Sequence, residues 1–350
     1  MLPKLDVNLV SSRGQLDELW RPGTDFLGSR YAIMGGAMSW VSEQTLVSAI
    51  SEAGGFGVLA CGSLEADQLS AEIRGVQKRT RNPFGVNLII MHPRLNELID
   101  VCLQSDVSHI VLAGGVPTSA VIQRIKDGGA KVICFASTTT LARRLIRHGA
   151  DALIIEGAEA GGHIGPVATS VLAQEILPHI QDVPVFVAGG IGRGEAISFY
   201  LRMGAAGCQI GTRFVCAQES IAHPDFKRAF IRAHARDAIL SVQIDPDLPV
   251  IPVRALANAG TRRFVDIQRQ IADQYRSGEL DQVQAQLEIE LYWAGALRRA
   301  VIDGDVENGS LMAGQSVGMV TREQPMAEIM EELVTQARTV LAENERIGFP

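Results

Sequence analysis

The sequence has no basic cluster interleaved with aromatic residues, and its 32 Lys and Arg are outnumbered by 39 Asp and Glu, giving a formal net charge of −7. Polyanion-binding proteins concentrate cations on one face, so nucleic acid is not an expected partner. No apolar run approaches the roughly 18 residues needed to cross a bilayer, so no membrane is expected either. Met1–Gly14 lacks the apolar centre of a secretory signal and carries an acidic residue, Asp6. Cysteine is sparse. The five, at positions 61, 102, 134, 208 and 216, have no metal-ligand spacing. Cys102, Cys134 and Cys208 lie in apolar runs that suit a small buried residue. No metal site is expected, and the setting expected is reducing and cytoplasmic. Low-complexity tracts and long linkers are missing too. What remains, 350 residues of which 47% are hydrophobic and 20% charged, is an ordinary globular composition. Its length suits one large domain, or a barrel with a smaller unit.

Short apolar runs bounded by Gly or Pro recur along the chain: Tyr31–Gly35, Gly57–Cys61, Gly85–Ile90, His109–Leu112, Lys131–Phe135, Ala152–Glu156, Val185–Ala188 and Gly207–Ile210. Helical spacing fills the gaps, as in Ser42–Ala53, Ala120–Lys126 and Thr138–His148, each followed by a glycine stop. Alternating strand and helix indicates a parallel α/β fold. A doubly wound sheet accounts for six such units; eight in succession predict a closed (β/α)8 TIM barrel. The pattern changes near Ser220. From Ala222 to Gly309 there is little strand signal, and Phe264–Arg299 reads as helix. The chain therefore divides into a barrel, 1–221 and 310–350, and an inserted, mainly helical sub-domain or lid, 222–309. The amphipathic segment Gln324–Asn344 is placed to close the ring.

In such a barrel, function gathers in the loops after the strands, with phosphate bound after the last two. Gly189-Gly190-Ile191-Gly192 follows the seventh run and Gly211-Thr212 the eighth. Glycines there let backbone N–H groups approach an anion. No dinucleotide fingerprint with its downstream acidic residue accompanies them. After the sixth run, Glu156-Gly157-Ala158-Glu159-Ala160-Gly161-Gly162-His163 sets one imidazole among small residues. A flat ring system could lie close to it, and imidazole suits proton transfer near neutral pH. The turn Gly35-Gly36-Ala37-Met38 and the run Ala113-Gly114-Gly115 are further flat surfaces, and Asn87 offers donors and acceptors to a pyrimidine-like edge. Three other readings are weaker. Cys216 lacks a catalytic loop for a nucleophile, and His223-Pro224-Asp225 reads as a helix start rather than a metal site. Glu156 and Glu159 have no aromatic sugar platform for glycoside chemistry.

The order of these segments, together with Ser51–Gly57, Pro83–Asn87, Gln209–Phe214, Ala222-His223-Pro224, Val253–Asn258 and Gly304–Gln315, resembles the nitronate monooxygenase (2-nitropropane dioxygenase-like) superfamily of FMN barrels. Within it the pattern is similar to the FabK-type enoyl-acyl-carrier-protein reductase II branch. That resemblance implies FMN held by Gly35, Gly36, Ala37, Met38, Asn87, Ala113, Glu156, Gly162, Gly189, Gly190, Gln209, Gly211 and Thr212, and His163 as the active-site imidazole. It implies NADH or NADPH as reductant and a 2-enoyl thioester as acceptor, small or borne by an acyl-carrier protein, in fatty acid synthesis. The alternative within the superfamily is oxidation of an alkyl nitronate with oxygen. A homodimer is left open as the assembly. Two departures touch the acceptor side: Gly35-Gly36-Ala37 where the family has Gln then Gly, and a shorter loop at Gly114–Pro117.

Overall fold

A computed structural model describes residues 14–62, 64–246, 248 and 250–347; the amino-terminal stretch inspected for a signal lies largely outside them. Eight strands make the central sheet: β1 (Ile33–Gly35), β2 (Gly57–Ala60), β3 (Phe84–Ile89), β4 (His109–Ala113), β5 (Lys131–Phe135), β6 (Ala152–Glu156), β8 (Val185–Ala188) and β9 (Gly207–Ile210), where β7 (Gly162–His163) lies outside it. Their order is β1-β9-β8-β6-β5-β4-β3-β2, with every pairing parallel. Between β1 and β2 the contact narrows to one bridge, Met34 opposite Phe56. There Gly35 N–H donates to Phe56 O at 2.9 Å and Phe56 N–H to Ile33 O at 2.9 Å, which closes the ring. The molecule is a (β/α)8 barrel with extra helical insertions.

Strand and helix follow from composition. The β-branched runs of β4, β5 and β6 are buried on both faces, as strands wrapped by helices must be. Helices start where a polar side chain meets free N–H groups: Thr138 accepts from Leu141 N, and Thr118 from Val121 N. The last helix, Met326–Ile347, packs on helix Gly194–Arg202, where Gly194 N–H donates to Gln336 Oε1 at 2.8 Å. It also meets helix Gln44–Glu52, so it completes the helical ring.

One end of the barrel is shut. Helix Arg21–Leu27 brings Phe26 against His109 at the start of β4, with ring centroids 5.1 Å apart. His109 Nε2–H donates to Phe26 O at 3.0 Å, and Ser108 Oγ lies 2.9 Å from Nδ1. Burial drives the His109 pKa down to about 4. The open end is the carboxyl end of the strands.

The insert packs on that open end. It holds helices Pro224–Arg232, Ala259–Ser277 and Gln282–Val301, with a core of Phe264, Ile271, Ile289 and Trp293. The stretch read as one helix over Phe264–Arg299 is two, parted at Gly278, whose φ of 78° only glycine adopts readily. Two strands also occur where little strand signal is visible: β10 (Ala238–Leu240) and β11 (Val253–Leu256), which form an antiparallel sheet of order β10-β11-β7. Among the described residues no helix is long and apolar enough to cross a membrane.

Candidate active site

The glycine-rich turns come together at the open end. A Cβ on Gly36 would sit 3.6 Å from Gly211 Cα and 3.7 Å from Gln209, and one on Gly211 would sit 3.5 Å from Met38 Sδ. The turn after β1 and the end of β9 are thus in van der Waals contact. Gly35 is different: the space at its Cα is occupied by Ile50 of the outer helix, so its lack of a side chain serves packing. Asn87 is buried on β3, its amide donating to Val111 O at 3.2 Å. Gln209 is buried on β9.

Gly189 and Gly190 follow β8 with φ of 98° and 72°. This left-handed glycine pair makes a turn whose side-chain-free backbone N–H groups an anion could approach, as in a nest. Among the described residues the N–H groups of Gly189, Gly190 and Gly211 have no acceptor. Thr212 Oγ1 accepts from Gly314 N–H at 2.9 Å, which leaves its own proton to donate. Donors without an acceptor beside side-chain-free backbone at neighbouring strand ends are the chemistry a phosphate group requires.

The loop after β6 is braced from several sides. Glu159 accepts from Thr169 N–H and Oγ1–H, each at 2.8 Å, and Thr169 Oγ1 lies 3.1 Å from Gly189 O. The carboxylate therefore ties this loop to the nest, and it is not free for glycoside chemistry with Glu156. Burial pushes the Glu156 carboxyl up to about 7, so it is half protonated near neutrality. Ala113 and Glu156 stand at the ends of β4 and β6, both half-buried.

Gly162 and His163 form β7, opposite Arg254 and Val253 of the insert. Arg254 is buried and donates to Ala158 O at 2.8 Å and Ala238 O at 2.6 Å, joining the β6 loop to β10. The His163 imidazole, 40% exposed, lies with Nε2 3.0 Å from Glu290 Oε2 on helix Gln282–Val301. At the far end of that helix Arg298 Cζ is 5.8 Å from the ring centre of Trp40. Trp40 follows the β1 turn with φ 66°, a strained value for a bulky residue.

The residues expected at the mouth thus lie at or next to strand ends on one face of the barrel. Glu159, Thr169, Arg254, Glu290 and Arg298 have no local signature of a role there. The remaining candidates are plain. Cys216 is buried with its thiol pushed up to about 12, too high for a nucleophile. His223 Nδ1 accepts from Asp225 N–H at 3.1 Å ahead of Pro224, an ordinary helix cap. Among the described residues no group of His, Cys, Asp and Glu could hold a metal ion.

The family model for nitronate monooxygenase matches residues 21–100 and 93–336. The chain belongs to the nitronate monooxygenase family. It is an FMN-dependent oxidoreductase of the nitronate monooxygenase and FabK structural group. FabK from Thermotoga maritima superposes with a TM-score of 0.82 and 34% identity, covering 93% of this chain and 98% of that one. A nitroalkane oxidase from Streptomyces ansochromogenes gives a TM-score of 0.73 and 27% identity, covering 92% and 99%. A Mycobacterium tuberculosis relative, (3aS,4S,5R,7aS)-5-hydroxy-7a-methyl-1-oxo-octahydro-1H-indene-4-carboxyl-CoA dehydrogenase, is 30% identical over 91% of this chain and 96% of its own length. Family membership supports FMN as cofactor.

Proposed function

We propose that this chain reduces 2-enoyl thioesters with NADH or NADPH. The observation that carries the reading is the likeness to FabK: a match covering 93% of the chain takes in most of the insert as well as the barrel. A relative named for a carboxyl-CoA supports the thioester class.

Gly189, Gly190, Gly211 and Thr212 hold the phosphate of FMN, and Gly36, Ala37, Met38, Asn87, Ala113, Glu156, Gly162 and Gln209 border its ring system, Gly35 being left to packing against Ile50. FMN held there would supply two-electron chemistry between the nicotinamide and the acceptor. His163 delivers the proton that the α-carbon takes as the double bond is saturated. Each turnover consumes one nicotinamide and one proton. A positioned general acid contributes about 10²–10⁴-fold. The insert braces the loop that carries His163 through the β7–β11 pairing and the Arg254 bond to Ala158 O.

The nitroalkane oxidase likeness favours the second reading, nitronate oxidation with oxygen. Steady-state assays separate them. NAD(P)H consumption driven by crotonyl-CoA supports the reductase; oxygen uptake driven by an alkyl nitronate, with no response to crotonyl-CoA, replaces it.

A further inference from the structure

We infer that Glu290 is the positioning residue of His163 and fixes its tautomer from the inserted helix; this rests on His163 as the proton donor. The Glu290 carboxylate can only accept, so the nitrogen 3.0 Å away, Nε2, carries the proton in the neutral ring. Among the described residues Nδ1 has no partner. It is the nitrogen left to exchange a proton with an acceptor.

The backbone of His163 is held by the same unit. β7 has no neighbour in the barrel sheet and pairs only with β11, and Ile164 N–H donates to Pro252 O at 3.0 Å. The helix that bears Glu290 is itself fixed: Ala285, Ile289 and Trp293 bury its inner side in the core of the insert. Glu290 and Arg298 are eight residues apart on one face, roughly 12 Å along the axis. One meets the β6 loop and the other Trp40 beyond β1, so the helix bridges two strand-end loops. Both members of the His163–Glu290 pair are about 40% exposed, and such pairs contribute little to stability. Orientation is what remains for it to provide.

The test compares Glu290→Ala, Glu290→Gln and Glu290→Asp holoenzymes by two independent readouts. Nitrogen-15 spectra report the His163 tautomer, its signal assigned by loss in His163→Ala. Anaerobic rapid mixing reports flavin reduction by nicotinamide and its reoxidation by crotonyl-CoA. The parent is expected as the Nε2–H tautomer. Glu290→Ala is expected to mix tautomers and slow the crotonyl-dependent step about 10-fold or more, with flavin content and nicotinamide reduction within about twofold. Glu290→Asp should recover part of the rate. Glu290→Gln keeps an acceptor but no charge and should fall between. An unchanged tautomer in Glu290→Ala overturns the inference, whatever the substrate. If the tautomer shifts but the parent itself shows no crotonyl-dependent step, the reductase reading falls and the hold of Glu290 on His163 stands.

Discussion

Gly189 shows how much can rest on one missing Cβ. At φ 98° a side chain is strained, and its Cβ would lie 2.8 Å from Thr169 Oγ1 and 3.0 Å from Gly157 O. Strain of this kind costs about 1–3 kcal/mol, and it would turn the nest N–H groups away from an anion. Gly189→Val is therefore expected to raise the FMN dissociation constant about 10-fold or more, measured by flavin fluorescence; a value within about twofold of the parent would detach the nest from the cofactor. His109 makes a prediction at the closed end. Its pKa of about 4 in the folded state lies below the ordinary value of 6.5, so the unfolded chain takes up the proton first. Stability from this site is complete above pH 6.5, declines as pH falls, and is lost below about 4. One pKa unit corresponds to about 1.4 kcal/mol, so the loss is up to about 3 kcal/mol. Denaturant midpoints between pH 7 and pH 4.5 should fall more steeply for the parent than for His109→Gln; parallel profiles would show that His109 is not the group responsible.

At the scale of elements, the insert fastens the β6 loop through one arginine. Arg254→Ala would leave the Ala158 and Ala238 carbonyls without their donor. An unsatisfied buried acceptor costs about 1–3 kcal/mol, so amides 157–164 should exchange with deuterium about 10-fold faster or more, while the β3–β5 amides stay protected. Equal exchange in parent and mutant would mean that the β7–β11 pairing alone holds the loop. The same elements mark what the sequence makes legible. All eight barrel strands are visible because each is a short apolar run with glycine or proline close to at least one end. β10 and β11 are not: Ile239 and Leu240 are about 40% exposed, and their sheet is completed only by β7 from a distant loop. The break at Gly278 had a local signal, in that glycine and in the Asp281 cap that accepts from Gln284 N–H, but the continuous amphipathic pattern on either side concealed it. The turns after β8 and β9 and the loop that carries His163 are readable as glycine-framed motifs. Glu290 and Arg254 are not, since each acts through a partner far along the chain and looks locally like any helix or strand residue.

For the whole molecule, the central claim is a division of labour: the barrel holds the cofactor, and the insert, through β11 and helix Gln282–Val301, presents the proton donor. His163→Ala should then leave FMN bound, because the nest lies on other loops. The most direct measurement is anaerobic double mixing of the FMN-loaded parent and His163→Ala, first with NADH or NADPH and then with crotonyl-CoA, followed at the flavin absorbance. The account predicts that both proteins are reduced at similar rates, and that reoxidation by crotonyl-CoA is about 100-fold or more slower in His163→Ala, the range for losing a positioned acid. Reoxidation within about threefold of the parent would remove His163 from the chemistry, and reduced parent that crotonyl-CoA cannot reoxidise would contradict the thioester assignment itself.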